Sequence, residues 1–309
     1  MVSTRKVRSH MERREIMIAL GMSALGWGLA GVGVRAALGE GVEPLSMVVV
    51  RAGIVALAVL AILWVRRERI PRARQFWRTA TVAGLFNMAV PFALFTTAYQ
   101  YASAGFVGLL AALMPLATAI VAHYTVHDEP LTAPKLLGML VALAGVVLLF
   151  VSGDSGLDEG GRPELAITLG LGAVIAVGVS SAYAKRHQGS FTPVPLTGTQ
   201  FLIGGVVLIP FMLVLEGVPS GITSRGWALL VGLALFSSLM PFLLFYWVLQ
   251  RASATMASLS GYIVPLISLL GGVILLDERI ELGIVAGGAL ILVGVVLTDQ
   301  AERRVAAHS

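Results

Sequence analysis

The sequence predicts an all-α membrane protein: ten transmembrane helices in two inverted five-helix repeats around a central cavity. Three observations carry this expectation. First, the 309 residues are 57% hydrophobic and only 13% charged. A soluble domain carries about a quarter charged residues and cannot hide so much apolar surface, so lipid must solvate most of the chain. Second, ten segments each supply the roughly 20 apolar residues that a spanning helix needs. They lie near 16–38, 45–65, 79–100, 103–124, 133–152, 165–185, 195–215, 226–249, 254–276 and 281–299. Third, "PFALFTTAYQYASAGFVGLLAALMPL" (Pro91–Leu116) returns as "PFLLFYWVLQRASATMASLSGYIVPL" (Pro241–Leu266), with 11 of 26 positions identical.

The connections between segments are short and rich in turn formers, as in "GEGVEP", "HDEPLTAP" and "EGVPSGIT". None has room for a soluble domain. The first apolar segment follows a basic start, as a signal peptide would. It is as long as a full span and shows no small-residue cleavage site, so it reads as a retained helix. The expected organisation is a basic tail over 1–15, a first unit over 16–152, a linker over 153–164, a second unit over 165–299 and a tail over 300–309.

Basic residues orient the chain, because cytoplasmic loops carry the excess of Lys and Arg. With a cytoplasmic N-terminus, 17 of the 22 basic residues fall inside and three (Arg162, Arg225, Arg279) outside; Arg35 and Arg51 lie within spans. Both termini are then cytoplasmic, in a multi-pass protein of the plasma membrane. The net charge of +5 faces anionic lipid at the inner leaflet, so no nucleic-acid partner is implied. Cysteine is absent, which excludes disulfides and thiolate metal sites. No Walker loop, HExxH motif or catalytic triad appears. Neither a cofactor, a metal nor an enzymatic activity is expected.

The repetition extends beyond the quoted strings. "DEPLTAPKLLGMLVALAGVVLL" from Asp128 matches "DERIELGIVAGGALILVGVVL" from Asp277, and Gly28 faces Gly178. Each unit holds five spans, an odd number, so the second enters the membrane inverted. Inverted repeats mark secondary transporters, whose halves rock about a shared midplane site.

Several of these strings resemble EamA-type members of the drug/metabolite transporter superfamily: "ALGWGLAGVGVRAAL", "VVVRAGIVALAV", and "QYASAGFVGLLAALMPL" leading into "DEPLTAPKLLGMLVALAGVVLL", with their second-unit counterparts. The resemblance spans residues 16–299. It implies ten helices around a central cavity and export of amino acids, other small amphipathic metabolites or drugs by alternating access. A flippase for a lipid-linked precursor is the alternative. The sequence departs from the family at His123, where an apolar or small residue is usual.

Candidate site residues follow from polar or strained positions within spans. Pro91, Pro115, Pro241 and Pro265 each remove a helical hydrogen bond; they are hinges or static kinks, and Pro91 and Pro241 free the carbonyls of Asn87 and Ser237. Polar groups in spans are costly and mark function. The expected substrate lining is Trp27, Asn87, Thr96, Tyr99, Gln100, Ser181, Tyr183, Tyr246, Trp247 and Tyr262, where aromatic walls supply burial and a few polar groups orient the substrate. Trp and Tyr near span ends also suit the interfacial belt. Arg35 and Arg51 either snorkel to the interface or hold an anion at an outer vestibule. His123 is the one titratable side chain in a span suited to carry a coupling proton, unless it is simply hydrogen-bonded. Glu129 and Glu278, at matched positions, cap or anchor the ends of their helices, or take part in gating. The small residues Gly138, Ala142, Gly145, Gly283, Gly287 and Gly294 form close-packing faces, within the chain or across a homodimer. The remaining partners are the small-molecule substrate and the bilayer.

Overall fold

A computed structural model describes residues 2–125, 132–157, 160–186, 192–249 and 254–306. Among them there are helices and no strand. Within the described residues, eight helices are long and apolar enough to cross a membrane: α1 (Arg14–Gly39), α2 (Pro44–Arg66), α3 (Arg74–Ala98), α4 (Ala104–Thr125), α5 (Ala133–Ser152), α6 (Pro163–Ala184), α7 (Pro193–Leu215) and α8 (Ser224–Val248). α9 (Ala254–Leu276) and α10 (Leu282–Ala306) follow. They carry shorter apolar stretches over Ile263–Leu276 and Leu282–Thr298. Trp64, Val214, Ile274 and Leu282 are all more than 70% exposed, a surface suited to hydrocarbon rather than to water.

Local chemistry sets the helix boundaries. Pro44, Pro163 and Pro193 open α2, α6 and α7, where a missing N–H costs nothing. Ser103 and Thr223 cap α4 and α8, accepting from the amides of Phe106 and Gly226 at 3.1 and 2.9 Å. Gly153 ends α5 in the left-handed region at φ 72°. Arg67 and Asp277 adopt φ 53° just past α2 and α9. The first matters little here; the second turns the chain so that Glu278 points back over α9, and its amide donates to Gly272 O at 3.2 Å.

The repeated prolines produce a matched device and an unmatched one. Gly84–Ala89 and Leu235–Leu239 are π-helical turns, lying just before Pro91 and Pro241. The sequence predicts freed carbonyls at Asn87 and Ser237. The wider turn passes through both residues, absorbing the lost bond as an inserted residue. α4 breaks at residues 112–113 ahead of Pro115, where the amides of Ala112 and Leu113 donate three residues back, to Leu109 and Leu110. α9 instead runs through Pro265 without a break. The symmetric expectation fails for this second pair, and nothing in the structure explains why.

α5 and α10 form the most extensive contact in the protein. A Cβ on Gly294 would strike the Ala142 amide and the Gly138 carbonyl, and one on Gly145 would strike the Gly287 carbonyl. The predicted small-residue faces are thus turned onto each other within the chain. α2 packs on α7, α6 on α3 and α4, and α1 on α8 and α9.

Candidate functional site

Helices α1, α3, α7 and α8 bring six aromatic rings together. Trp27 meets Phe242 and Phe245 edge-on, at 5.7 and 5.3 Å between centroids. Phe201 stands edge-on to Phe92 and Phe242, at 5.7 and 5.3 Å. Tyr246 packs on Phe242 and Phe245, both at 6.1 Å. Polar groups punctuate this wall. The Tyr246 hydroxyl donates to Gln200 Oε1 at 3.2 Å and also pairs with Asn87. Arg51 of α2 is 3% exposed. Its guanidinium lies 5.2 Å from the Phe92 ring centre, and its Nη2 donates to Ser238 Oγ at 2.9 Å. Ser238 belongs to the π-turn of α8.

The two ends of the bundle differ. At one end a groove of 630 Å³ lies between Ile18 and Met22 of α1, Thr192 and Val194 at the start of α7, and Leu244 and Trp247 of α8, with Arg66 and Glu68 also lining it. The groove and the aromatic cluster share α8.

At the other end, carboxylates bind the backbone N-termini of helices far away in sequence. Glu216, after α7, accepts from the Leu45 and Ser46 amides of α2, both at 2.7 Å. Glu278, after α9, accepts from the Ala104 amide of α4 with both oxygens, at 2.9 and 3.0 Å. Asp154, after α5, accepts from the Gly283 amide of α10 at 2.8 Å. Each pairing satisfies an orphan amide and sets negative charge against the positive end of a helix dipole. Glu281 adds a bond from the Gly156 amide at 3.1 Å. Glu40 accepts from Thr223 Oγ1 at 2.7 Å and pairs with Arg225 at 3.3 Å. Arg35 bridges α1 to this face: Nη1 donates to the Tyr99 carbonyl at 3.0 Å, and Nε lies 3.5 Å from Glu278. Burial pushes the Glu278 carboxyl above its usual range, against the opposing pull of the Ala104 amide and Arg35.

Residues 15–151 match the EamA-like transporter family, and residues 164–298 match it again. The chain belongs to that family. Transporter YoaV of Bacillus subtilis is 23% identical over 92% of this chain and 96% of its own length. A transporter of Archaeoglobus fulgidus is 25% identical over 91% and 97%. A protein of Streptantibioticus cattleyicolor named as a probable terminal-alkyne amino-acid exporter is 26% identical over 94% and 95%. A crystal structure shares the fold at TM-score 0.65 and 19% identity, covering 94% of this chain and 99% of its own. The protein is a multi-pass integral membrane transporter.

In this EamA-like chain the predicted site residues separate into groups. Trp27, Asn87 and Tyr246 meet at the aromatic cluster. Trp247 lines the groove. Thr96 is buried in α3, and the Tyr99 ring lies against Gly31 of α1. Gln100 is exposed beyond the end of α3, and Ser181 and Tyr183 are half-buried on α6. Tyr262 and Glu129 lie outside the described side chains. Arg35 and Arg51 part company: Arg35 joins the capped face, and Arg51 the aromatic core. His123 is exposed near the end of α4, edge-on to Tyr124 at 5.1 Å. Pro91, Pro241 and Pro265 are buried and Pro115 is exposed.

Sequence reading missed Gln200, Glu216 and the rings of Phe92, Phe201 and Phe242. Gln200 had a usable signal, as an amide within the apolar span 195–215. The phenylalanines had none, because every span carries large apolar residues and only packing distinguishes them.

Proposed function

We propose that the protein is a secondary carrier that exports small amphipathic organic solutes by alternating access. Its ten spans form two inverted five-helix repeats, with both termini cytoplasmic in the plasma membrane. One observation carries this reading: carboxylate caps hold one end of the bundle together, while the other end holds a 630 Å³ groove against the helix that bears the aromatic cluster. The loop charges place the capped end outside, so this state is open toward the cytoplasm. Two repeats of like build give a second state of similar energy with the accessibility reversed. The amino-acid exporter among the relatives supports an amino-acid-like cargo. No observation favours a lipid-linked precursor.

The test is counterflow in proteoliposomes containing the full chain, against a panel of labelled amino acids and related amphipaths, with growth protection by overexpression as the cellular arm. Saturable uptake of at least one solute, together with resistance to its toxic analogue, is expected. Monodisperse, thermally cooperative protein that moves none of the panel overturns the reading. A reporter inserted at Gly160 must lie in the external compartment; a cytosolic signal refutes the inverted arrangement.

A further inference from the structure

Arg51 is a charge without a counter-charge. It lies in α2 at 3% exposure, its Nε has no hydrogen-bond partner, and among the described residues no Asp or Glu pairs with it. It meets the face of Phe92, donates to one hydroxyl, Ser238 Oγ, and lies within electrostatic reach of the neutral Tyr99 phenol, none of which carries a negative charge. A buried guanidinium is expected to pair with an anion, because desolvation exceeds what a single neutral hydrogen bond and a ring face return. The fork of parallel N–H donors matches a carboxylate. The surroundings match the rest of an amphipath: Phe92 joins the guanidinium to the Phe201 and Phe242 rings, and Gln200, next to Phe201 in sequence, has its buried side-chain amide nitrogen without a hydrogen-bond partner.

From this juxtaposition we infer that Arg51, on Phe92 and beside Ser238, is the carboxylate-binding group of the substrate site, and that the cargo is an aryl or alkyl carboxylate. The inference rests on the carrier reading and deepens it, naming the carboxylate as the group of the cargo that is bound and Arg51 as the residue that binds it. The aromatic wall takes the apolar body, and the π-turn that presents Ser238 belongs to an element the transport cycle would bend. The groove open at the cytoplasmic end does not reach Arg51, which is 3% exposed, so admission of the ligand from that groove requires these helices to part.

The test uses full-length protein in lipid nanodiscs, with L-phenylalanine, phenylacetate, phenylalaninamide and phenylethylamine as probes, read by thermal shift and equilibrium binding. The two carboxylates are expected to bind about 100-fold more tightly than the two probes without one. Arg51→Gln is expected to erase that preference while leaving the melting temperature of the ligand-free protein unchanged or higher, since it removes an uncompensated charge. Arg51→Lys is expected to recover part of the preference, having a charge but no fork. A purely structural arginine would give the reverse pattern: a lowered melting temperature with the preference intact. That result overturns the inference, as does equal binding of all four probes or no binding of either carboxylate by the wild-type protein. Counterflow separates the two readings. Transport that ignores both the carboxylate and Arg51 removes this inference and leaves the carrier standing. Arg51-dependent carboxylate binding without transport removes the carrier and leaves the anion site.

Discussion

Replacing Glu278 by alanine should unfasten the capped face. The Ala104 amide, buried against both carboxylate oxygens at 2.9 and 3.0 Å, would lose its acceptor. An orphaned buried donor costs about 1–3 kcal/mol. The Arg35 pair adds at most about 1 kcal/mol, because that side chain is 25% exposed and keeps its bond to the Tyr99 carbonyl. The sum is about 1–4 kcal/mol, and at 1.36 kcal/mol per decade its midpoint, about 2.5 kcal/mol, shifts the closed-to-open ratio roughly 70-fold. Glu278→Gln keeps a carbonyl oxygen for Ala104 and should shift the ratio by no more than about 5-fold. The chain has no cysteine, so Ala102→Cys, at a fully buried position on this face, supplies a unique reporter. Its rate of modification by a membrane-impermeant thiol reagent reads opening directly. The reasoning fails if Glu278→Ala, still monodisperse, labels no faster than the parent, or if the alanine and glutamine variants label equally.

The same reporter tests pH. The Glu278 carboxyl is raised by burial at the capped face and, on the alternating-access proposal, would return to its ordinary range once that face opened to water. Protonation therefore favours closure: labelling should slow as pH falls through the raised value, quicken as pH rises above it, and flatten in Glu278→Gln. At the α5–α10 contact, Gly294→Ala drives a methyl group into the Ala142 amide and Gly138 carbonyl, and should cost about 1–3 kcal/mol or more, read as a lower melting temperature in detergent. Asp277 holds φ 53°, so Asp277→Val should cost about 1–2 kcal/mol and Asp277→Gly little, by the same measurement. Pro241→Ala restores an amide that can close a regular turn, and should convert Leu235–Leu239 from π to α geometry. A higher melting temperature with slower counterflow is the expected pair of results.

Much of the fold was legible because apolar length is a one-dimensional signal. The duplicated "PFALF" and "PFLLF" strings located the backbone distortions of α3 and α8 within a few residues. They could not distinguish a kink from a π-turn, since both answer the same missing donor. Nor could they show that α9 takes Pro265 straight. The site was less legible. Arg35 and Arg51 look alike in sequence, yet one joins the capped face and the other the core, because their partners, Glu278 and Ser238, are brought to them only by helix packing. Glu278 was expected to anchor its own helix end; instead it caps α4, 174 residues away.

The caps at Leu45, Ser46, Ala104 and Gly283 share a property with evolutionary weight. In each, the acceptor is a side chain and the donor is main chain. Mutation can delete the acid but cannot retune the amide, so a lost carboxylate has no compensating change across the contact. Covariation between aligned sequences, which depends on such paired changes, would be silent at the joints that hold this end of the molecule shut.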